Sequence, residues 1–227
     1  MIYYNMKKVA IGLYGAGGFG REVAALLPSI FSKLFPNLSD LNILLLFIDD
    51  NRNLTEVDEI KVVSWDDFLN LTGYELYSCV TVSDCKTRRS IVIKSRTFNV
   101  KPLTLIFNET LIMDKVRIGM GSIVMPGSKI STSVIIRDYV HINFNTYIAH
   151  DCVINNFTTI SPGVVCCGNT IIGECAFIGA GCKIKQGNSN KPRVIGAESV
   201  LGIGSVLISD LPDQQIYVGN PARSLNH

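Results

Sequence analysis

The chain is predicted to fold as an α/β domain followed by a parallel β-helix, and three observations carry that reading. A glycine loop, Gly15-Ala16-Gly17-Gly18-Phe19-Gly20, joins an apolar run to a helical pattern near the start. From Leu105 onward an aliphatic residue recurs at every sixth position. The change of texture between the two is abrupt, which sets the expected domains at residues 1–104 and 105–227.

In the first domain the apolar run Val9 to Tyr14 reads as a strand leading into the glycine loop, and Arg21-Glu-Val-Ala-Ala-Leu-Leu opens a helix. A second strand, Leu44 to Ile48, ends in Asp49-Asp50. Ser64 has the hydroxyl needed to cap a short helix through Asp66, Asp67 and Leu69. A third strand, Ser78 to Val82, meets Ser83-Asp84, and Lys86 to Arg96 reads as a basic-faced helix. Strands alternating with helices give a small parallel sheet of Rossmann-like type.

The second domain runs Ile106, Ile112, Ile118, Val124, Ile130, Ile136, Ile142, Ile148, Ile154, Ile160, Cys166, Ile172, Ile178, Ile184. A small or β-branched residue follows four places after most of them, as in Ser122, Val134, Thr146, Cys152 and Cys182. A period of six suits neither an α-helix nor an alternating strand of ordinary length. It suits a coil with three flat sides, eighteen residues to the turn, whose aliphatic corners stack into one column. Spacing leaves the hand open; the short-corner hexapeptide class that the repeat resembles is left-handed, against the usual crossover rule. The register breaks after Ile184, where Lys185 to Val194 reads as an exposed loop before Ile195 restarts the repeat. The repeat is expected to end near Leu211-Pro212, leaving residues 212–227 as a tail. A prism with flat, sparsely charged faces is expected to pack three-fold, as a homotrimer.

Composition narrows the function. Of 227 residues, 47% are apolar, and Lys+Arg 21 against Asp+Glu 19 leaves a net charge of +2, with no basic block to follow a phosphate backbone. A nucleic-acid partner is therefore not expected. The longest apolar stretch, Ile43 to Ile48, is strand-sized, so no membrane span is expected, and the N-terminal residues lack the pattern of a signal peptide. Seven cysteines without a Cys-x-x-Cys pair read as core filler in a reducing, cytoplasmic setting.

His150, in Ala149-His150-Asp151-Cys152, is the first candidate for chemistry. The eighteen-residue coil sets Gly168 beside it, leaving open space and a backbone N–H, and sets Asn169 beside Asp151. Two readings stand: a surface turn residue, or a general base that takes a proton near neutral pH, with Asp151 raising its basicity. Adjacent strand residues point apart, so contact between the two needs a turn at this corner. Gly15, Gly17 and Gly20 fit G-x-G-x-x-G between strand and helix, where a phosphate is favoured, or alternatively form a plain structural turn. Asp49 and Asp50 come 29 and 30 places after Gly20, later than in a dinucleotide site, so a mononucleotide or nucleotide sugar fits better. Lys183, Lys185, Lys191, Arg193 and Arg223 gather near the loop and tail, either as a phosphate contact or as a solvated face.

Together, Gly15-Ala-Gly-Gly-Phe-Gly-Arg-Glu-Val, Asp49-Asp50, Ser83-Asp84 with Arg88, the hexads, Ala149-His-Asp-Cys-Val-Ile and Val218-Gly-Asn-Pro-Ala-Arg resemble a bacterial sugar acetyltransferase family. It is the group of sialic-acid O-acetyltransferases and nucleotide-4-amino-sugar N-acetyltransferases. The stretch from His141 to Val194 resembles the GDP-perosamine type most. The resemblance implies a left-handed β-helix trimer using acetyl-CoA, without a metal. The acceptor it implies is a GDP-, UDP- or dTDP-linked 4-amino-4,6-dideoxyhexose destined for surface polysaccharide. It implies His150 as the base and Asp151 as its partner. Gly17, Gly18, Phe19, Asp49, Asp50, Ser83 and Asp84 would hold the nucleotide, and Asn143 the sugar. Ala180 and Ile203 would line the CoA channel between subunits, with Pro221 and Ala222 near its adenine.

Two departures from the family pattern stand out. Several relatives carry a second histidine nine places after the first, where this chain has Thr159, so its hydroxyl or the Gly168 N–H is left to meet the thioester oxygen. The common Gly-Asp is here Asn155-Asn156, expected to alter turn geometry rather than activity. Alternatives are O-acetylation of a sugar hydroxyl, a zinc lyase using His141, His150 and His227, and a non-catalytic nucleotide-sugar binder.

Overall fold

A computed structural model describes residues 8–36 and 42–225. The chain divides into two compact units, one up to Leu103 and one from Thr104 onward.

In the first unit β1 (Lys8–Tyr14) is followed by α1 (Gly18–Leu26), a 3₁₀ turn (Leu27–Ile30) and α2 (Phe31–Leu34). Then come β2 (Asn42–Ile48), the hairpin β3 (Glu56–Val57) and β4 (Ile60–Val63), and α3 (Trp65–Leu69). β5 (Tyr74–Val80), α4 (Cys85–Ser95) and β6 (Lys101–Pro102) complete it. The sheet order is β3-β4-β2-β1-β5-β6, parallel except where the hairpin turns back through Asp58 and Glu59, both at positive φ. β1 sits at the centre between β2 and β5, so Val9, Ala10, Ile11 and Leu13 are fully buried.

Local chemistry explains these boundaries. Ser64 Oγ accepts from the Asp67 N–H at 3.1 Å and caps α3, as expected from sequence. β5 starts earlier than predicted because Glu75 interrupts the apolar run on a half-buried face. It also stops short of Thr81, whose hydroxyl turns to the carbonyls of Tyr14 and Gly15, at 3.0 and 2.9 Å. The hairpin, α2 and β6 carry too few periodic residues to be read from sequence.

The second unit is a stack of two- and three-residue strands in three sheets of eight, six and five strands, parallel except at the last strand, Arg223–Ser224. Pairing advances by eighteen residues, as in Val124↔Ile142, Ile130↔Ile148 and Ile136↔Ile154, and after the loop by twenty-three, as in Ile172↔Ile195. The second residue of each strand points inward; Ile130, Ile142, Ile148, Ile154, Ile160 and Ile172 are fully buried in one column. Buried hydroxyls at the next inward position bond to corner carbonyls, Ser128 Oγ to Asn143 O at 2.9 Å and Thr158 Oγ1 to Gly173 O at 2.9 Å. Each corner turns through one residue at positive φ, six apart, including Asn145, Asp151, Phe157, Gly163 and Asn169. Asn155 Nδ2 donates to Ile172 O, and Asn156 Oδ1 accepts from the Asp138 N–H, so these asparagines tie neighbouring coils together.

The structure corrects two boundaries. Arg193–Ile195 is a strand on Thr170–Ile172, so the excursion spans only 185–192. The repeat does not end near Leu211: Leu211 bridges Ile195, and Ile216–Val218 adds a further rung on Val200–Leu201. That rung pairs at an advance of sixteen rather than eighteen, which hides it from a hexad count. Arg223–Ser224 then runs back antiparallel and closes the sheet edge. Five cysteines are free thiols: Cys79, Cys152, Cys166 and Cys182 are buried and Cys167 is half-buried. Cys85 and Cys175 are not among the free thiols, so the core-filler reading does not extend to them.

Candidate active site

In the second unit, the strand Tyr147–Ile148 runs into a corner formed by Ala149, His150, Asp151 and Cys152. Asp151 holds the positive φ of that corner, 58°, which swings its carboxylate back toward the preceding residue. Its Oδ2 lies 2.8 Å from His150 Nδ1, with both side chains about half exposed (53% and 54%). A carboxylate accepts only, so Nδ1 carries the proton and Nε2 presents its lone pair outward. The expected contact between neighbours is thus a product of the corner. Beneath it, Asp151 N–H bonds Thr132 O at 3.2 Å, and His150 O accepts from Asn169 N–H at 3.0 Å, fixing the pair between two coils.

Gly168 forms the floor. A Cβ placed there would stand 2.6 Å from His150 Cε1 and Nε2 and 3.0 Å from Nδ1, so the imidazole occupies the space a side chain would need. Gly168 O accepts from Gly187 N–H at 3.1 Å, which sets the start of the 185–192 loop directly over this floor. Cys152, next to the pair, is fully buried, with its Sγ 3.4 Å from Cys167 O and 4.0 Å from Cys166 Sγ. The contact with Cys166 draws the Cys152 thiol below its ordinary range, while that contact and burial push Cys166 well above.

The remaining second-unit residues are spread unevenly. Gly204 N–H donates to Ala180 O at 2.8 Å, so Ala180 and Ile203 share one corner on successive coils; Ala180 is half-buried and Ile203 is 79% exposed. Half-buried Asn143 lies on the same column of corners, lower down, one corner before His150. Thr159 is buried in a different sheet from Tyr147–Ile148, paired between His141 and Phe177, and is not brought beside His150 within one chain. Pro221 is exposed. Ala222, by contrast, is fully buried in the aliphatic column with its N–H on Val206 O.

In the first unit the glycine loop leaves β1 with Gly15 at φ 109°. A Cβ on Gly20 would meet Gly15 O at 2.0 Å, so only glycine lets α1 pack this close, whereas Gly17 and Gly18 face open space. Gly17 is the N-cap of α1 and supplies no side-chain cap, leaving the helix's first N–H groups for an anion; Phe19 alongside is half-buried.

Asp49, expected to hold the nucleotide, also braces its own loop. Its Oδ2 accepts from Ala16 N–H at 3.2 Å and its Oδ1 from Asn51 N–H at 2.9 Å. Asp50 takes the Tyr14 hydroxyl on both oxygens, at 2.9 and 3.0 Å, and burial together with that carboxylate raises the phenol well above its usual range. Asp84 caps α4, accepting from Thr87 N–H and Oγ1 at 2.8 and 2.6 Å, which holds its carboxyl below the ordinary value; Ser83 beside it is exposed. Arg88 is fully buried, pushed down to about 10 by burial, and donates to Val82 O and Ser83 O, bracing that loop.

A cavity of 730 Å³ opens beside Asp49, lined also by Arg52, Lys61, Ser64, Asp66 and Asp67. Sequence reading missed it because the hairpin that walls it was itself unread. Among the described residues no three His, Cys, Asp or Glu side chains are grouped to hold a metal, and His227 lies outside those residues. No described helix is long and apolar enough to cross a membrane.

Residues 10–95 match the family model of the PglD N-terminal domain. The chain is 33% identical over 214 residues to the GDP-perosamine N-acetyltransferase of Escherichia coli O157:H7, covering 94% of this chain and 95% of that one. Its fold matches WeeI from Acinetobacter baumannii AYE with a TM-score of 0.88 and 35% identity, over 96% of this chain and 100% of that one. The acetyltransferase domain of PglB from Neisseria gonorrhoeae FA1090, solved with acetyl coenzyme A, matches with a TM-score of 0.81 and 28% identity, covering 96% and 100%. An α/β unit with an open glycine loop, a parallel β-helix and a histidine braced by its neighbour thus sit in a chain that belongs to the acetyltransferase family of GDP-perosamine N-acetyltransferase.

Proposed function

We propose that this protein transfers the acetyl group of acetyl-CoA to the 4-amino group of a nucleotide-linked 4-amino-4,6-dideoxyhexose, with His150 as general base. The observation that carries the reading is the His150 ring, tied through Nδ1 to Asp151 and laid over Gly168 with Nε2 open. The names of the relatives supply the reaction class: one acetylates GDP-perosamine and another binds acetyl coenzyme A.

The chemistry follows from these groups. Nε2 takes a proton from the sugar amine as its nitrogen attacks the thioester carbonyl, and the imidazolium returns that proton to the departing CoA thiolate. Asp151 holds the tautomer and stabilises the imidazolium. The Gly168 N–H, which makes no backbone hydrogen bond among the described residues, is the donor we assign to the thioester oxygen. Direct attack needs no acyl carrier, and the fully buried Cys152 is not placed to be one. The open N-terminus of α1 would receive the nucleotide phosphates.

We further propose a left-handed coil assembled as a homotrimer, in which the flat, sparsely charged faces of the prism are packed against each other. Light scattering at three times the 24.9 kDa chain mass would support it, and a monomer would exclude it.

The test of the reaction is His150→Ala, followed by mass detection of the acetylated sugar nucleotide. A loss of about 10² to 10⁴ in kcat is expected. Turnover near that of the unaltered enzyme would remove His150 from the mechanism.

A further inference from the structure

The 185–192 loop meets the coil that carries Gly168 at both of its ends. Gly187 N–H donates to Gly168 O at 3.1 Å and Arg193 N–H donates to Asn169 O at 2.9 Å, so two consecutive carbonyls of that coil are taken by the neck of the loop. Asn169 N–H in turn donates to His150 O at 3.0 Å. A Cβ on Gly187 would stand 2.2 Å from Arg193 N and 2.5 Å from Asn169 O, so only glycine lets the neck press this closely. Farther out, Asn188 and Lys191 exchange backbone hydrogen bonds at 3.0 and 3.1 Å. Asn188 Oδ1 also accepts from the N–H groups of Asn190 and Lys191, at 3.1 and 2.9 Å, which makes the tip a closed turn.

One side chain closes the neck. Arg193 Nε donates to Lys185 O, at the loop's entry, at 3.4 Å, and Arg193 Nη1 donates to Asp210 Oδ1 at 2.6 Å. The same Asp210 oxygen accepts from Val194 N–H at 3.1 Å, and this bond together with Arg193 holds the carboxyl below its ordinary value. The Arg193 side chain is only 16% exposed, against 46% for Asp210. A single ion pair near the surface contributes little to global stability. The planar guanidinium, with donors aimed in two directions, instead does a local job: it ties the entry and exit of the loop to the coil beyond.

We propose that Arg193, anchored by Asp210, is a positioning residue for the acetyl transfer. By closing the neck it fixes the Gly168–Asn169 segment, and with it the Gly168 N–H and the imidazole that lies against that glycine. The proposal rests on the reading of His150 as the base and Gly168 N–H as the thioester donor, and adds what holds them in place.

The test uses the intact protein. Arg193→Met keeps an aliphatic stem and removes the clamp, whereas Asp210→Asn keeps an acceptor for Val194 N–H and removes the charge. Deleting an oxyanion donor costs about 10²- to 10³-fold, and loosening one costs less, so kcat should fall about 10-fold in Arg193→Met and by a smaller factor in Asp210→Asn. KM for acetyl-CoA and for the sugar nucleotide should not change. The double variant should be no slower than Arg193→Met, because the pair acts as one unit. Amide hydrogen exchange at Gly187 and Arg193 should quicken while the melting temperature holds.

An unchanged kcat in Arg193→Met overturns the proposal. So does a fall in kcat matched by a rise in KM or by early melting, which would make the clamp a binding or structural element, and so does a double variant whose losses multiply. His150→Ala, assayed in parallel, keeps the two readings apart. If it abolishes turnover while Arg193→Met is silent, only the positioning role fails; if it turns over normally, the reaction reading fails and the positioning role with it.

Discussion

Replacing Gly168 with alanine tests the site with a single methyl group. That carbon would stand 2.6 Å from two atoms of the His150 ring and 3.0 Å from a third, whereas non-bonded carbons settle at about 3.5 to 4.0 Å. The ring has to give way by about 1 Å, and being half exposed it can swing outward rather than strain the coil. Gly168 has no positive φ, so alanine adds no backbone strain of its own. The displaced ring leaves the 2.8 Å contact with Asp151, and Nε2 leaves its aim. A misplacement of about 1 Å in a catalytic group costs about 10²-fold, or about 2.7 kcal/mol in the barrier. Steady-state assays should therefore show kcat lowered about 100-fold, with KM for the sugar nucleotide and the melting temperature nearly unchanged. A kcat within two-fold of the unaltered enzyme would refute the idea that this floor positions the base. A large fall in melting temperature would instead show that Gly168 serves the coil.

Three other perturbations should separate structural from ligand-facing positions. Gly20→Ala drives a Cβ to 2.0 Å from Gly15 O and should lower stability by about 1 to 3 kcal/mol, whereas Gly18→Ala enters open space and should leave the melting curve in place. Ile148→Ala empties part of the fully buried column under His150 and should cost about 2 to 5 kcal/mol in denaturant titration. Asp84→Ala removes the α4 cap and should cost about 1 kcal/mol at neutral pH. Because Thr87 holds the Asp84 carboxyl below its ordinary value, that stabilisation is complete above the unfolded carboxylate range. It is lost as pH falls through the folded value, so acid titration should bring the two melting temperatures together.

Much of the architecture was legible because it is periodic. A six-residue repeat buries its aliphatic residues in a three-sided coil, and the five extra residues after Ile184 reappear as pairing at twenty-three instead of eighteen. Gly15 and Gly20 were legible because each does a backbone job that only glycine permits, the first at positive φ and the second in close contact with Gly15 O. Where periodicity fails, reading failed with it. The rung at Ile216–Val218 pairs at an advance of sixteen, and the burial of Ala222 in the column that this rung extends was not read from the sequence. That Asp49 also braces its own loop through both oxygens needed the tertiary structure to be seen.

The amino-acid order alone settled that residues 150 and 168 stack at one corner, since a coil of constant length leaves them nowhere else to lie. It could not settle whether His150 and Asp151 touch, because two neighbours on an extended chain diverge. Only the folded corner, with Asp151 forced to positive φ by the turn every coil must make, brings carboxylate and imidazole together.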